Sequence, residues 1–350
     1  MSIIFTEGFD YLPVGPSVQS YFSSPGKWDG IYGIGGSSSS LSGTNSVTPY
    51  NYGNALLMSA LGLQKSLGSN LSGVYCHFNF QYSAVTGGAS ITNTVFRYLD
   101  GSTVQVEVIL IANPLSGTAA FEFRNGAGTL LWDPPSEFDM NAGEYYSVEI
   151  DVNFDPTNGY VYLTLWDISA NTGYSGEVPG GLDTAPSGNS WSNGVVLGPD
   201  STYPDANQAQ FYYDDFWIGD AGDFSSCRRV YSVFPTGDVS NSGWSTSNGG
   251  SIFSALSGNP TSFTPNVQAG TSGGAFVESF PNITATVIFA AAVTVAAKAG
   301  SPGVITADIN GTEYDGTAFS GSATTPARYQ GQVIEYPGSS ITVTAGCKVS

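Results

Sequence analysis

Strict alternation of apolar and polar residues runs through the first two-thirds of this 350-residue chain. Residues 146–154 place five apolar side chains between four polar ones, and residues 74–82 repeat the pattern. Alternation with period two puts the apolar side chains on one face of a strand and the polar ones on the other. Residues 160–167 are similarly aromatic on one face and aliphatic on the other. These segments predict amphipathic strands and an all-β fold.

Turn signals separate the predicted strands. Asn-Gly or Asp-Gly pairs stand at residues 100–101, 125–126 and 158–159. Such pairs supply the positive φ angles that tight hairpins need. The Ala-rich segment 290–299 is also read as strand, because β-branched residues accompany it and Gly300 and Pro302 follow. Short strands with frequent turns predict β-sandwiches.

A change of texture near residue 223 divides the chain. Beyond it the predicted strands are rich in small residues and poorer in aromatic ones. We therefore expect two β-sandwich domains, residues 1–222 and 224–350. Two stretches of the first domain, residues 35–46 and 174–207, are predicted to be long irregular loops, since one is Gly/Ser-rich and the other holds four prolines.

The charge balance limits the partners. The net charge is −19, with nine cations, and Arg228 and Arg229 are the only adjacent pair. Binding phosphates needs clustered cations, so nucleic acid and anionic membranes are disfavoured. Residues 287–297, the longest apolar stretch, are too few to span a membrane. The N-terminal residues lack the pattern of a secretion signal. We expect synthesis in a host cytoplasm, with no membrane or nucleic-acid partner.

Three cysteines stand far apart, at Cys76, Cys227 and Cys347. Their odd number and wide spacing fit neither a disulfide framework nor a zinc motif. We expect them to be buried small hydrophobic residues.

Three segments of the first domain carry a family resemblance. FTEGFDYLP (residues 5–13, with Trp28 following), residues 144–167 and FYYDDFWIGD (residues 211–220) resemble strands of concanavalin A-like, laminin-G-type jelly rolls. The resemblance implies a concanavalin A-like jelly roll for residues 1–222.

The segment after this domain resembles a second group. CRRVYSVFPTGD (residues 227–238), followed by Trp244, is similar to the link between such a jelly roll and a second β domain in tailed-phage virion proteins. That group tends to carry an acidic residue where Cys227 stands. Residues 311–321 and 340–350 resemble the last strands of its second domain.

This resemblance implies a structural protein on the virion surface, of the capsid decoration, head fibre or turret type. A tail or baseplate accessory protein is one alternative, and a carbohydrate-binding module that contacts host glycans is another. The expected partners are other virion proteins and further copies of the chain in a homo-oligomer. Residues 224–350 are expected to supply most subunit contacts, and residues 1–222 the exposed loops and glycan contacts.

Residues for catalysis are sparse. His77 is the only histidine, and it lies on the polar face of a predicted strand, where we expect it to be exposed. Gly270, Ser272 and Gly274 match G-x-S-x-G, a match expected by chance in a chain with 45 glycines. Glycosidases with E-x-D-x-E use two carboxylates on one strand face, but here the third position is Asn153. We expect a solvated strand face, no catalytic residue and no enzyme activity.

Four carboxylates frame the first domain. Glu7 and Asp10 stand near its start, and Asp214 and Asp215 near its end. First and last strands of jelly rolls lie side by side, so these oxygens are candidates for a structural calcium ion. The alternative is that Asp214 and Asp215 form turn or edge hydrogen bonds. No other cofactor is expected.

Aromatic residues in loop-like stretches are candidates for sugar stacking. The candidates for carbohydrate binding are Trp28, Tyr32, Trp191 and Tyr203. An interface within an assembly explains a surplus of aromatic side chains equally well.

Overall fold

The computed structural model shows two compact units. Unit 1 contains residues 3–9 and Asp29–Val230, and unit 2 contains Tyr231–Ser350 together with Phe22, Lys27 and Trp28. The structure describes residues 3–9, 22, 27–32, 40–44, 55–59, 61–83, 90–199, 210–220, 230, 235–246, 251–252, 267–269, 275–280, 282–291, 294–297, 303–319, 327–330 and 334–349. The predicted domain limits, 1–222 and 224–350, stay predictions.

Unit 1 is built from antiparallel strands and one short 3-10 turn, Ser136–Phe138. Its strands are β1 Ile3–Glu7, β2 Gly30–Tyr32, β3 Ser40–Thr44, β4 Ala55–Ser59, β5 Gly62–Leu71, β6 Gly73–Tyr82, β7 Ile91–Asp100, β8 Thr103–Asn113, β9 Thr118–Asn125, β10 Leu130–Trp132, β11 Met140–Asn141, β12 Tyr146–Asn153, β13 Gly159–Asp167, β14 Thr172–Leu182, β15 Ser192–Leu197 and β16 Phe211–Gly219.

Two sheets form the sandwich. Sheet A has the order β14–β13–β12–β6–β16–β4–β3, with β1 also paired to β16. Sheet B has the order β10–β9–β8–β7–β15–β5–β2, with β11 paired to β9. Strands next to each other in a sheet are far apart in the chain at several points, as in a jelly roll.

Aromatic side chains fill the space between the sheets. Phe78 of sheet A stacks on Phe96 of sheet B with ring centroids 5.9 Å apart. Phe80 and Phe121 approach to the same distance across the sandwich. Each of these rings is fully buried. The apolar face of each alternating strand therefore points inward, as the period-two pattern predicts.

Unit 2 is also all-β. Its strands are β17 Gly237–Ser242, β18 Trp244–Thr246, β19 Val267–Ala269, β20 Ala275–Ser279, β21 Ile283–Ala291, β22 Thr294–Ala297, β23 Gly303–Ile309, β24 Thr312–Phe319, β25 Ala327–Gln330, β26 Ile334–Ile341 and β27 Val343–Val349. A five-stranded sheet, β17–β20–β27–β23–β24, is accompanied by the pairs β18–β19, β21–β26 and β22–β25. Ile309, Ile341, Val343 and Ala345 form part of its core.

The predicted fold class is confirmed: the chain is all-β, with antiparallel sheets arranged as sandwiches. The Ala-rich segment forms β21 and β22, as expected. Cys76 and Cys347 are buried free thiols, while Cys227 lies outside the described residues. The described part of the chain contains no helix long and apolar enough to cross a membrane.

The turns lie at the predicted positions, but not every Asn-Gly pair has the positive φ angles that the prediction assumed. Gly101 has a φ of 59°, as its hairpin requires. Asn158 and Gly159, however, are not among the residues with positive φ. The Asp155 carboxylate organises that turn, because its Oδ1 accepts hydrogen bonds from the backbone N–H groups of Thr157 (2.8 Å) and Asn158 (2.7 Å). Gly159 instead leaves room for the Thr184 side chain, which packs directly against it.

The prediction of two long loops is wrong for part of each segment. Residues 174–207 include most of β14 and all of β15, and residues 35–46 include β3. Pro179 and several glycines hide β14 from pattern analysis. A proline is tolerated there because β14 is the edge strand of sheet A, where no neighbouring strand needs its missing N–H.

Candidate functional site

The face of sheet A that points away from sheet B carries polar and aromatic side chains, and we call it the polar face. Strand register places them in rows across β14, β13, β12 and β6. One row is Ser175, Thr164, Glu149 and His77, the next is Glu177, Tyr162, Asp151 and Tyr75, and the third is Gly173, Trp166, Ser147 and Asn79. Tyr160 extends the face at the start of β13.

His77 lies at the buried end of this face. Its Nδ1 is 2.9 Å from the backbone oxygen of Asp215, and its Nε2 is 2.9 Å from Ser147 Oγ. A carbonyl oxygen can only accept, so Nδ1 carries a proton, and in the neutral imidazole Nε2 accepts from the serine. The expectation of an exposed histidine is wrong: Trp217 stacks on the ring at 5.7 Å, and His77 is fully buried.

The expectation of a solvated polar face fails in this region as well. Ser147 and Glu149 are buried on β12, although both have polar side chains. Trp217 stacks on Tyr75 at 5.3 Å, and Val230 packs against both rings. This aromatic layer removes the neighbouring polar groups from water, so they form a hydrogen-bonded interior instead of a surface.

The four candidate calcium ligands are only partly described. Asp214 and Asp215 are buried, and β1 pairs with β16 so that Glu7 stands opposite Phe216. Asp215 accepts hydrogen bonds from Asn79 Nδ2 (2.7 Å) and from the Val230 N–H (2.7 Å). Asp10 lies outside the described residues, and the described part of the chain contains no group of three or more metal-binding side chains. The calcium ion stays a prediction.

The β13 end of the polar face is accessible. Tyr160, Tyr162, Thr164 and Trp166 of β13 are all partly exposed, and so is Asp151 of β12. The Tyr160 hydroxyl donates to Asp151 Oδ2 at 2.7 Å. This part of the face therefore presents aromatic rings beside hydrogen-bonding groups.

Asp151 is the carboxylate on this accessible part. Burial raises its pKa above the ordinary value, and the hydrogen bond from Tyr160 partly offsets this effect. The group therefore takes up a proton more readily than a free aspartate when the pH falls.

Trp166 packs against the neighbouring strand. The benzene part of its indole lies over Gly173 of β14, with Cε3 nearest to the point that a Cβ atom would occupy and Cδ2 and Cζ3 at 3.0 and 3.1 Å from it. Any other residue at position 173 would push the ring away. The indole is partly exposed, so part of the ring is accessible to a ligand. A flat aromatic ring of this kind offers an apolar platform to a ligand.

The four residues predicted to bind sugar are only partly described. Trp28 is buried, with 2% of its surface exposed. Trp191 is partly buried, and its Nε1 donates to Asp100 Oδ1 at 3.1 Å. Tyr32 ends β2, and its side chain is outside the described part. Tyr203 and residues 270–274 lie outside the described residues.

The aromatic platform was missed although the sequence carried its signal. Tyr160, Tyr162 and Trp166 alternate with aliphatic residues, so they share the face of β13 opposite the core. An aromatic outer face on an amphipathic strand is unusual, since that face is normally polar. The sequence pattern does not predict that Gly173 lies beneath Trp166, because Pro179 and several glycines interrupt the alternation along β14.

Comparisons with known proteins add the following. No protein-family model and no curated protein matches the chain. Similar solved structures include the enzymatically active domain of tailspike protein 2 from bacteriophage CBA120, at 13% identity and a TM-score of 0.38, covering 62% of this chain and 35% of that one. The CBM2 module of the evolved Dit of Lactobacillus casei BL23 phage J-1 is similar at 12% identity and a TM-score of 0.34. The match covers 62% of this chain and 94% of that module.

An alginate lyase from Klebsiella pneumoniae is also similar, at 11% identity and a TM-score of 0.36, covering 51% of this chain and 83% of that one. The expectation that the chain is not an enzyme is thereby contradicted, because lyases and an enzymatically active tailspike domain are among the similar structures. At these identities and TM-scores, the activities named for those proteins are not assigned to this chain.

Proposed function

We propose that unit 1 binds glycan chains on the accessible part of the polar face. The observation that carries the proposal is the Trp166 ring, which packs over Gly173 and is partly exposed on this face. Sugar rings stack their apolar C–H faces on such platforms, as other apolar groups do. Asp151 and Tyr162 lie on the same face and supply hydrogen-bonding oxygens for sugar hydroxyls.

Affinity electrophoresis through gels that contain soluble polysaccharides tests this proposal. We expect retardation of the full chain by at least one polysaccharide and about tenfold weaker binding for Trp166→Ala, a loss of about 1.4 kcal/mol. Tyr174→Ala is the matched control, because Tyr174 is an exposed aromatic residue of β14 (49%) on the opposite side of that strand. If Trp166→Ala binds as tightly as the unaltered chain, the platform is not the site.

We further propose that the chain is a surface protein of a tailed-phage particle, which brings the glycan site to a host. The support is the resemblance of residues 227–238 and Trp244 to the link between two β domains of virion proteins. Co-sedimentation of the chain with purified particles, followed by immunogold labelling, tests this proposal. Labelling of the head supports a decoration, fibre or turret protein, and labelling of the tail supports a tail accessory. Absence from particles would rule out both.

A further inference from the structure

The accessible part of the polar face is negatively charged. Asp151 and Glu177 flank Tyr162 in the same row. In the described part of unit 1, no lysine or arginine lies on a strand of sheet A. Among the described residues of sheet A, a ligand on this face therefore meets two carboxylates and no positively charged side chain.

The described cations of unit 1 are all on strands of sheet B, and each is engaged there. Lys65 of β5 lies 3.8 Å from Asp29, and the Phe5 ring also faces its ammonium group. Arg97 of β7 pairs with Glu107, and Arg124 of β9 pairs with Glu122. None of these groups is placed to neutralise an anionic ligand on sheet A.

The hydrogen bonds within the site decide which ligand groups it can satisfy. The Tyr160 hydroxyl donates its hydrogen bond to Asp151, and Thr164 Oγ1 donates a hydrogen bond to the Tyr162 hydroxyl at 3.0 Å. Since Thr164 has a single proton, Ser175 Oγ, at 3.0 Å, must donate to it. The hydroxyl proton of Tyr162 is left for a ligand. The site thus offers two uncharged donors, the Tyr162 hydroxyl and the Trp166 indole N–H, and two carboxylate acceptors, Asp151 and Glu177.

Uronate sugars fit this inventory poorly. A carboxylate ligand accepts hydrogen bonds only, and it would face Asp151 and Glu177 with one phenol and one indole N–H as uncharged donors. Sugar hydroxyls both donate and accept, so they satisfy the protein carboxylates without placing like charges together. We propose that the site takes neutral, hydroxyl-rich glycans and rejects polyuronates, an inference that rests on the proposed glycan-binding function.

The test compares one polysaccharide backbone with and without charge. The full chain is screened against neutral polysaccharides, against the same polymers after oxidation of their C6 hydroxyls to carboxylates, and against alginate before and after carboxyl reduction. All measurements use 0.15 M salt, where the Debye length is about 8 Å. Repulsion from the net charge of −19 beyond that distance is then largely screened, and effects of charges in contact with the ligand persist.

We expect a neutral polymer to retard the chain, oxidation of that polymer to weaken binding at least tenfold, and Trp166→Ala to weaken binding of the neutral polymer about tenfold. Glu177→Lys should recover binding of the oxidised polymer by about two- to fivefold, the range of an exposed ion pair, while Glu177→Gln recovers less. Trp166-dependent binding of alginate that carboxyl reduction abolishes would overturn the neutral-glycan inference and keep the proposed function. Retardation by no polymer would overturn the proposed function and the inference with it.

Discussion

At the scale of single residues, the pair of Trp166 and Gly173 sets the shape of the site. The indole lies where a Cβ atom at position 173 would stand. Gly173 is exposed on an edge strand, so a methyl group there meets little besides the ring. The glycine therefore serves the orientation of the platform more than the stability of the sheet.

Gly173→Ala should lift the Trp166 ring from β14 and weaken glycan binding several-fold, with little change in the midpoint of thermal unfolding. Titration calorimetry and a thermal scan of the same sample measure both. Gly194→Ala is the control, since a Cβ atom at position 194 meets only ordinary contacts at 3.4 Å and beyond. Equal losses of affinity in both variants would mean that the ring position does not matter.

Asp151 makes glycan binding dependent on pH. Its pKa is raised by burial, so protonation begins above the range of an ordinary aspartate as the pH falls. A protonated carboxyl accepts hydrogen bonds from sugar hydroxyls less strongly. Affinity should therefore decline on acidification with a midpoint above the ordinary value of 3.8. Asp151→Asn should bind more weakly at neutral pH and show a flat profile; a variant with the unaltered profile would assign the titration to another group.

At the scale of elements, the Asp100 carboxylate binds the segment that connects β14 to β15 through hydrogen bonds. Asp100 accepts hydrogen bonds from Ser187 Oγ (3.0 Å), Asn189 Nδ2 (2.7 Å) and Trp191 Nε1 (3.1 Å). These hydrogen bonds lower the pKa of Asp100, and the bond from Asn189 contributes most. A carboxyl with a depressed pKa stabilises the fold above its unfolded pKa, and this contribution is lost as the pH falls through the folded pKa.

Asp100→Asn should loosen residues 183–193 without unfolding the sandwich. The amide can accept at one oxygen only, and its NH₂ group meets donors, so at least one of the three bonds is lost. Limited proteolysis and hydrogen exchange should show faster cleavage and faster exchange in residues 183–193 of this variant. The unaltered chain should show the same change at strongly acidic pH, where Asp100 becomes protonated. Gln105 also donates to Asn189 O and Trp191 O, each at 2.9 Å. Unchanged exchange in the variant would mean that Gln105 alone holds the segment.

The elements also mark what the sequence can and cannot predict. Alternation located β6, β12 and β13, because each is a long amphipathic strand within a sheet. It missed β14, because Pro179 and several glycines interrupt the sequence pattern, although alternate residues from Gly176 on are partly buried. The burial of His77 was equally out of reach, because it depends on Trp217, which β16 brings beside it from a distant part of the chain.

At the scale of the whole molecule, each unit has a core of its own. Unit 1 packs aromatic rings between its sheets, and unit 2 packs small aliphatic side chains such as Ile309 and Val343. The proposed glycan site belongs to unit 1 alone. That residues 224–350 supply most subunit contacts of a homo-oligomer stays a prediction.

Hydrogen exchange of the full chain with and without a bound polysaccharide tests the central claim most directly, because it locates the ligand without altering the protein. Slower exchange is predicted in peptides that cover β13 and β14, residues 159–182, with unit 2 unchanged. Trp166→Ala should remove this protection at the same polysaccharide concentration. Protection confined to other strands of unit 1 or to unit 2 would contradict a glycan site on the polar face of sheet A.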